Sequence, residues 1–295
     1  VRTAMKEIIL KTLDMAWRVL LVAAGYALAL LLAGVILGMA GLLQAGTNAL
    51  AAPALLWMFV GVLIMSLMLG LTARRLPATP VRHVIVWSIL VYANVSAVTI
   101  EGIFFAPDLV SNGWITILQQ LLPSLVTAVL VYYLFAPRPA VTPPGSIQRT
   151  WFSWAWRFAL SAFIYLAAYW VFGGINFALV TRPYYEALGS PLAVPDPQTV
   201  LRAEMIRAVL IVLSVVPFLL TARMPLRRLA VWSGLLLFVI GGIVPLTWQA
   251  GSLAPQLLLA SAVEIFFQNF TTGAAAALLL ARPASVSSDR RLRPA

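Results

Sequence analysis

The chain has 295 residues, of which 62% are apolar and 10% charged, with a mean hydropathy of +0.96. That balance excludes an ordinary soluble globule and predicts an integral membrane protein. The absence of cysteine and the single histidine, His83, exclude disulfides, thiolate and two-histidine metal sites, paired haem ligands and the H-E-x-x-H protease helix. No metal or cofactor is expected. The formal charge of +11 does not point to nucleic acid, because the basic residues border apolar runs instead of forming a patch on a polar face.

About 20 apolar residues cross a hydrocarbon layer of about 30 Å as a helix. Eight runs of that kind occur, at 18–43, 53–73, 84–106, 114–136, 155–180, 204–222, 229–249 and 255–280. They are apolar on every face, unlike barrel strands with period two, so the predicted fold is all-α. The first is too long for a signal-peptide core and is read as a retained anchor.

Seventeen of the twenty basic residues fall on one side of this arrangement. Arg2, Lys6, Lys11 and Arg18 start it; Arg74, Arg75 and Arg82 follow the second span; Arg138, Arg149 and Arg157 flank the link from the fourth to the fifth; Arg223, Arg227 and Arg228 follow the sixth; and Arg282, Arg290, Arg291 and Arg293 follow the eighth. Arg182, Arg202 and Arg207 remain for the other side. Short basic loops stay cytoplasmic, which predicts the cytoplasmic (inner) membrane as location, with both termini in the cytoplasm.

The chain also repeats itself. Ala16-Trp17-Arg18, Tyr26 and Gly34 recur 139 positions later as Ala155-Trp156-Arg157, Tyr165 and Gly173. Leu71-Thr72-Ala73-Arg74 recurs 149 later at 220–223, and Val86-Trp87-Ser88, Thr127 and Ala136 recur 145 later. Four spans per half is an even number, so the halves enter the membrane from the same side: a parallel duplication of a four-helix unit. The domain reading is a first repeat at 1–136, a Pro-rich cytoplasmic linker at 137–150, a second repeat at 151–283 and a basic tail at 284–295. Trp17, Trp87, Trp156 and Trp232, with Arg18 and Arg157, read as anchors at the headgroup level, and Gly34/Gly38 and Gly273/Ala277 as small-residue packing pairs.

The Ala-Trp-Arg starts of spans 1 and 5, and Glu264-Ile-Phe-Phe-Gln268-Asn269-Phe-Thr-Thr-Gly273 in span 8, resemble a group of uncharacterised bacterial eight-span proteins built from two four-helix halves. The resemblance implies that architecture and no activity.

Ionisable groups at membrane depth are functional candidates, since each costs about 2.5–3.5 kcal/mol at a helix centre. Glu101 lies 19 residues past Arg82, Gln119 lies 19 before Arg138, Arg207 lies 16 before Arg223 and Glu264 lies 18 before Arg282. At 1.5 Å per residue they share a layer roughly 24–29 Å from the basic ring. Gln119 and Glu264 are repeat equivalents. Together with Gln268, one turn from Glu264, these residues form the candidate polar pocket, an outward-opening vestibule between the halves in which Arg207 neutralises Glu101 or Glu264. Two alternatives stay open: helix tilt brings the layer to the outer interface, or Arg207 pairs with Glu204 one turn away. Asn94, Gln268 and Asn269 lie deeper and need partners, with interhelical hydrogen bonds as the expected solution. Pro123, Pro217 and Pro245 are expected to kink their spans. His83 is expected at the cytoplasmic surface. The segment from about Thr181 to Ala203 reads as a loop, either a lid over the vestibule or a subunit contact.

Three functions follow, in order: a non-catalytic bundle of transporter or ligand-binding type; a structural or accessory subunit of a larger membrane complex; and an intramembrane enzyme, for which no catalytic residue stands out. The expected partners are membrane lipids and, on the second reading, other membrane subunits.

Overall fold

A computed structural model describes residues 2–43, 52–105, 112–137, 149–186, 196–251 and 253–281. The described residues form eight long helical segments and no strand: α1 (Arg2–Met39), α2 (Ala52–Ala73), α3 (Pro80–Phe105), α4 (Gly113–Phe135), α5 (Trp151–Glu186), α6 (Pro197–Thr221), α7 (Leu226–Gln249) and α8 (Pro255–Leu280). Each is long and apolar enough to cross a membrane. Their lipid-type faces carry Leu28, Leu31, Trp114, Phe163, Leu179 and Leu259, all more than 60% exposed, a surface that water would not tolerate over this extent. Residues 138–148 of the Pro-rich linker and the basic tail lie outside the described residues.

Three boundaries differ from the sequence expectation by more than four residues, each for a local reason. α1 begins sixteen residues early, its first turns carrying a Lys11–Glu7 pair one turn apart (3.4 Å). α5 runs on through Glu186 instead of ending near residue 180, with Arg182 Nε donating to Glu186 Oε1 at 2.8 Å. α6 begins at Pro197, because Asp196 caps it: its Oδ1 accepts from the backbone N–H of Gln198 and Thr199, both at 3.0 Å. Both ends of the expected 181–203 loop are therefore helical, and residues 187–195 lie outside the described residues.

Two of the three internal prolines sit beside a change in the helix. α4 divides at Gln120, one residue past the carbonyl of Gln119 that Pro123 leaves without a donor. A π-helical turn, Val239–Ile243, spans the Gly241 carbonyl that Pro245 strands in α7. α6 passes through Pro217 as one helix. α5 holds two further π-helical turns, at Tyr169–Gly173 and Phe177–Thr181, which rotate its C-terminal part relative to its N-terminal part.

In the first half, α1 packs on α2 and α4, and α4 also packs on α2 and α3. In the second, α5 packs on α6 and α8, and α8 also packs on α6 and α7. Between the halves, α3 lies along α6 and α2 along α7, while α3 also meets the π-turn of α7. Buried amides tie helices together both across the halves and within the second half. Asn94 Nδ2 of α3 donates to Ser214 Oγ of α6 at 2.9 Å, and Asn269 Nδ2 of α8 donates to the Leu237 carbonyl of α7 at 3.0 Å. For these two amides this is the interhelical bonding the sequence called for, whereas Gln268 donates to Glu264 on its own helix.

The basic end is built from arginines that cap helix ends. Arg18 Nη1 donates to the Leu134 carbonyl at the end of α4, and Arg157 Nη1 to the Leu279 carbonyl at the end of α8 (2.9 Å). Arg149 adds bonds to the Leu280 and Ala281 carbonyls at 2.9 and 2.8 Å. Carbonyls at a helix C-terminus have no intrahelical donor and carry the negative end of the dipole, so a guanidinium there satisfies both. Trp17 and Trp156 lie partly exposed beside these arginines, with Arg18 and Arg157 over their rings at 5.4 and 4.6 Å, and Arg75 lies over Trp232 at 4.4 Å.

Trp87 and His83 depart from the expected surface positions, because both are fully enclosed by protein. Trp87 Nε1–H donates to His83 Nδ1 at 3.1 Å. An indole N–H only donates, so Nδ1 is the acceptor and the His83 proton sits on Nε2, which donates to the Leu76 carbonyl at 2.9 Å. The pair, four residues apart on one face of α3, fixes the α2–α3 turn, and Trp87 packs on Phe218 of α6.

Candidate functional site

At the end of the bundle away from the basic loops, α3, α6 and α8 bring charges together, and α5 adds a hydroxyl and an amide. Arg207 of α6 is the centre. Its Nη1 lies 3.0 Å from Glu101 Oε1 of α3 and 2.6 Å from Glu204 Oε1, one turn back on its own helix. Glu204 is wholly buried and its second oxygen accepts the Tyr165 hydroxyl of α5 at 2.7 Å. The Arg207 side chain is 8% exposed and that of Glu101 29%, so the ion pair closes inward and opens slightly at Glu101. Each charge sits where desolvation is costly, and the cost is offset by charge-assisted bonds.

Beside it, Glu264 of α8 accepts from two amides: Gln268 Nε2 of the same helix at 2.7 Å and Asn176 Nδ2 of α5. Gly173 makes this possible, since a Cβ there would stand 3.0 Å from Glu264 Oε1. Phe172 stacks on Phe267 at 4.9 Å and holds α5 against α8 at this level. Asn176 lies between the two π-helical turns of α5. Tyr169 and Tyr185 of α5 lie within electrostatic reach of the glutamates.

The chain matches no family model, and no curated protein or solved structure is significantly similar to it.

Of the pocket residues predicted from sequence, Glu101, Arg207, Glu264 and Gln268 come together. Gln119 does not. Its Nε2 donates to the Leu30 carbonyl of α1 at 3.1 Å, beside Gly34, inside the first half. Of the three expected partners of Arg207, Glu101 across the seam and Glu204 on its own helix are engaged at once through Nη1, whereas Glu264 is bonded to Asn176 and Gln268 instead. The expected open vestibule between the halves is here a closed cluster at the α3–α6 seam, set mostly in the second half. Two grooves on the outside of the bundle, about 500 Å³ between α1 and α2 and about 440 Å³ between α3 and α4, include none of its members.

Sequence reasoning missed Asn176, Tyr165 and Tyr169. For Asn176 the signal was present: it lies 19 residues past Arg157, the same depth count that picked out Glu101. Tyr165 stood out only as a repeated residue, its hydroxyl needing a partner at depth.

The arrangement gathers polar and charged groups of both signs. It presents carboxylates, a guanidinium, phenols and amides within one buried group, and Arg207 Nε is buried with no acceptor. Among the described residues no group of three or more His, Asp or Glu side chains has the spacing to hold a metal ion.

Proposed function

We propose that the chain is a membrane-embedded parallel duplication of a four-helix unit, with a site in its second half that binds, and in a transporter passes, a small charged or polar solute. The observation that carries the reading is the ion pair of Arg207 with Glu101 and Glu204, across the seam between the halves.

The duplication is supported by pairing. Exchange of α1 with α5, α2 with α6, α3 with α7 and α4 with α8 converts the main helix contacts into one another. Arg18 bonded to the Leu134 carbonyl becomes Arg157 bonded to the Leu279 carbonyl, and Gly34 beside Gln119 becomes Gly173 beside Glu264. Two halves of one fold then allow an internal control. At the repeat offsets, Glu204, Arg207, Asn176, Gln268 and Glu101 correspond to Leu55, Met58, Leu37, Pro123 and Leu246. The same packing is achieved at the equivalent positions without a charge, so the bundle does not need the charges in order to form. Buried charges that architecture does not require are best explained by a ligand. With the basic loops in the cytoplasm, the site lies in the outer leaflet.

The test uses purified protein in lipid nanodiscs and a panel of small cations, carboxylates, zwitterions and polyols. At least one class should raise the Tm of the native protein, as ligands selective for the folded state do. It should leave Glu101→Gln/Arg207→Gln, which removes a charge of each sign, unmoved. Equal responses of both proteins to every class would contradict the reading.

A further inference from the structure

Three glutamates and one arginine leave a charge of −2 if all four are ionised, inside a bundle where an uncompensated charge costs about 2.5–3.5 kcal/mol. The donors are shared unequally. Glu204 has Arg207 and Tyr165, and Glu101 has Arg207. Glu264 is bonded to two neutral amides, those of Gln268 and Asn176. An amide carries a carbonyl oxygen as well as an NH₂, and half a turn about its last bond exchanges them. The two amides can therefore accept from a carboxylic acid as well as donate to a carboxylate.

A second observation is independent of the carboxylates. Arg207 is 6% exposed, its Nη1 is shared between two glutamates, and its Nε–H is buried without an acceptor. An unsatisfied buried donor costs about 1–3 kcal/mol, more when charged, and marks a seat for a further acceptor. Arg207 is also within electrostatic reach of Glu264.

We propose that Glu264 is a proton-binding site, holding a proton while it is bonded to Asn176 and Gln268 and, once that proton has left, turning its carboxylate to the free Nε–H edge of Arg207. In the release step the carboxyl O–H bond breaks, the electron pair stays on the carboxylate and the proton passes to water where the cluster opens slightly at Glu101. The inference rests on the site reading above and names the proton as the ion coupled to it. The groups facing Glu264 are Asn176, Tyr169 and Tyr185 of α5, Glu204 and Arg207 of α6, Glu101 of α3 and Gln268 of its own helix. α7 turns Phe238 and Gly242 toward α8 here, against Phe266 and Ile265.

The first half supplies the informative variant. Gln119 occupies the position equivalent to Glu264, beside Gly34, so the framework accepts a glutamine there and Glu264→Gln is expected to fold. Infrared difference spectra of the intact protein in nanodiscs, recorded as pH is raised, should show a carboxylic-acid carbonyl band that titrates away. The band should be lost in Glu264→Gln, and its midpoint should move in Gln268→Leu. No titrating band, or the same band in Glu264→Gln, would overturn the proposal. Loss of the band on adding sodium at constant pH would also overturn it, in favour of a metal-cation site. The two readings fail separately: solute stabilisation that ignores pH and survives Glu264→Gln removes the proton and keeps the site, whereas a Glu264 band with no stabilising solute does the reverse.

Discussion

Arg207→Leu is expected to cost about 3–5 kcal/mol of stability, the range for removing one partner of a buried ion pair. It takes away the cation shared by Glu101 and Glu204, and Glu204 has no exposed surface through which water can substitute. The loss should appear as a large fall in Tm and in monodisperse yield after solubilisation. A second change sorts the carboxylates. Glu204→Gln added to Arg207→Leu should recover more stability than Glu101→Gln, because the stranded Glu204 is wholly buried whereas the Glu101 side chain is 29% exposed. Recovery in the opposite order would mean that the cluster is not closed around Glu204. Added salt should change these differences little, since buried pairs are weakly screened.

Gly273→Val is the second large effect, and it acts through packing alone. A Cβ at Gly273 would lie 2.5 Å from the carbonyl carbon and oxygen of Ser233 and 2.6 Å from the backbone nitrogen of Gly234. These are main-chain atoms of α7, so no side-chain rotation relieves the overlap, and α7 and α8 must part. Overpacking of a filled interior costs roughly 1–3 kcal/mol and more where backbone must move, so the larger value is expected here. Gly174 supplies the comparison: nothing stands within 4 Å of its Cβ position. Gly174→Ala should be neutral or slightly stabilising, since alanine is the better helix former by about 1 kcal/mol. Equal thermal stability of Gly273→Val and Gly174→Ala would show that the α7–α8 contact is looser than described.

The eight spans were legible because length and hydropathy decide whether a helix fits a membrane, and both are local properties. Depth was legible for the same reason: counting residues from the basic ring placed Glu101, Arg207 and Glu264 in one layer, and they do meet or lie within electrostatic reach. Rotation about the helix axis was not. The count put Gln119 in that layer too, yet it faces α1, since depth says nothing of direction. The π-helical turns of α5 carry no clear sequence signal, and they set the direction in which Asn176 points. Burial of His83 was hidden by its neighbour Arg82, which suggested a wet surface. The informative residue was Trp87, one turn on, which supplies the bond that keeps the imidazole neutral inside. The ends of α5 and α6 turned on single contacts, Arg182 with Glu186 and Asp196 with the first turn of α6.

On the proposed topology, even numbers of spans separate the basic loops from one another, and an odd number separates them from the charged cluster at the opposite end of the bundle. The chain contains no cysteine, so one introduced at a time reports its own position without background. In sealed vesicles of one orientation, a membrane-impermeant maleimide should label Pro225→Cys from one side and Gly251→Cys and Glu186→Cys from the other, with Asn176→Cys following the second group. Labelling of positions 225 and 251 from the same side, or of position 176 from the side of the basic loops, would contradict the account.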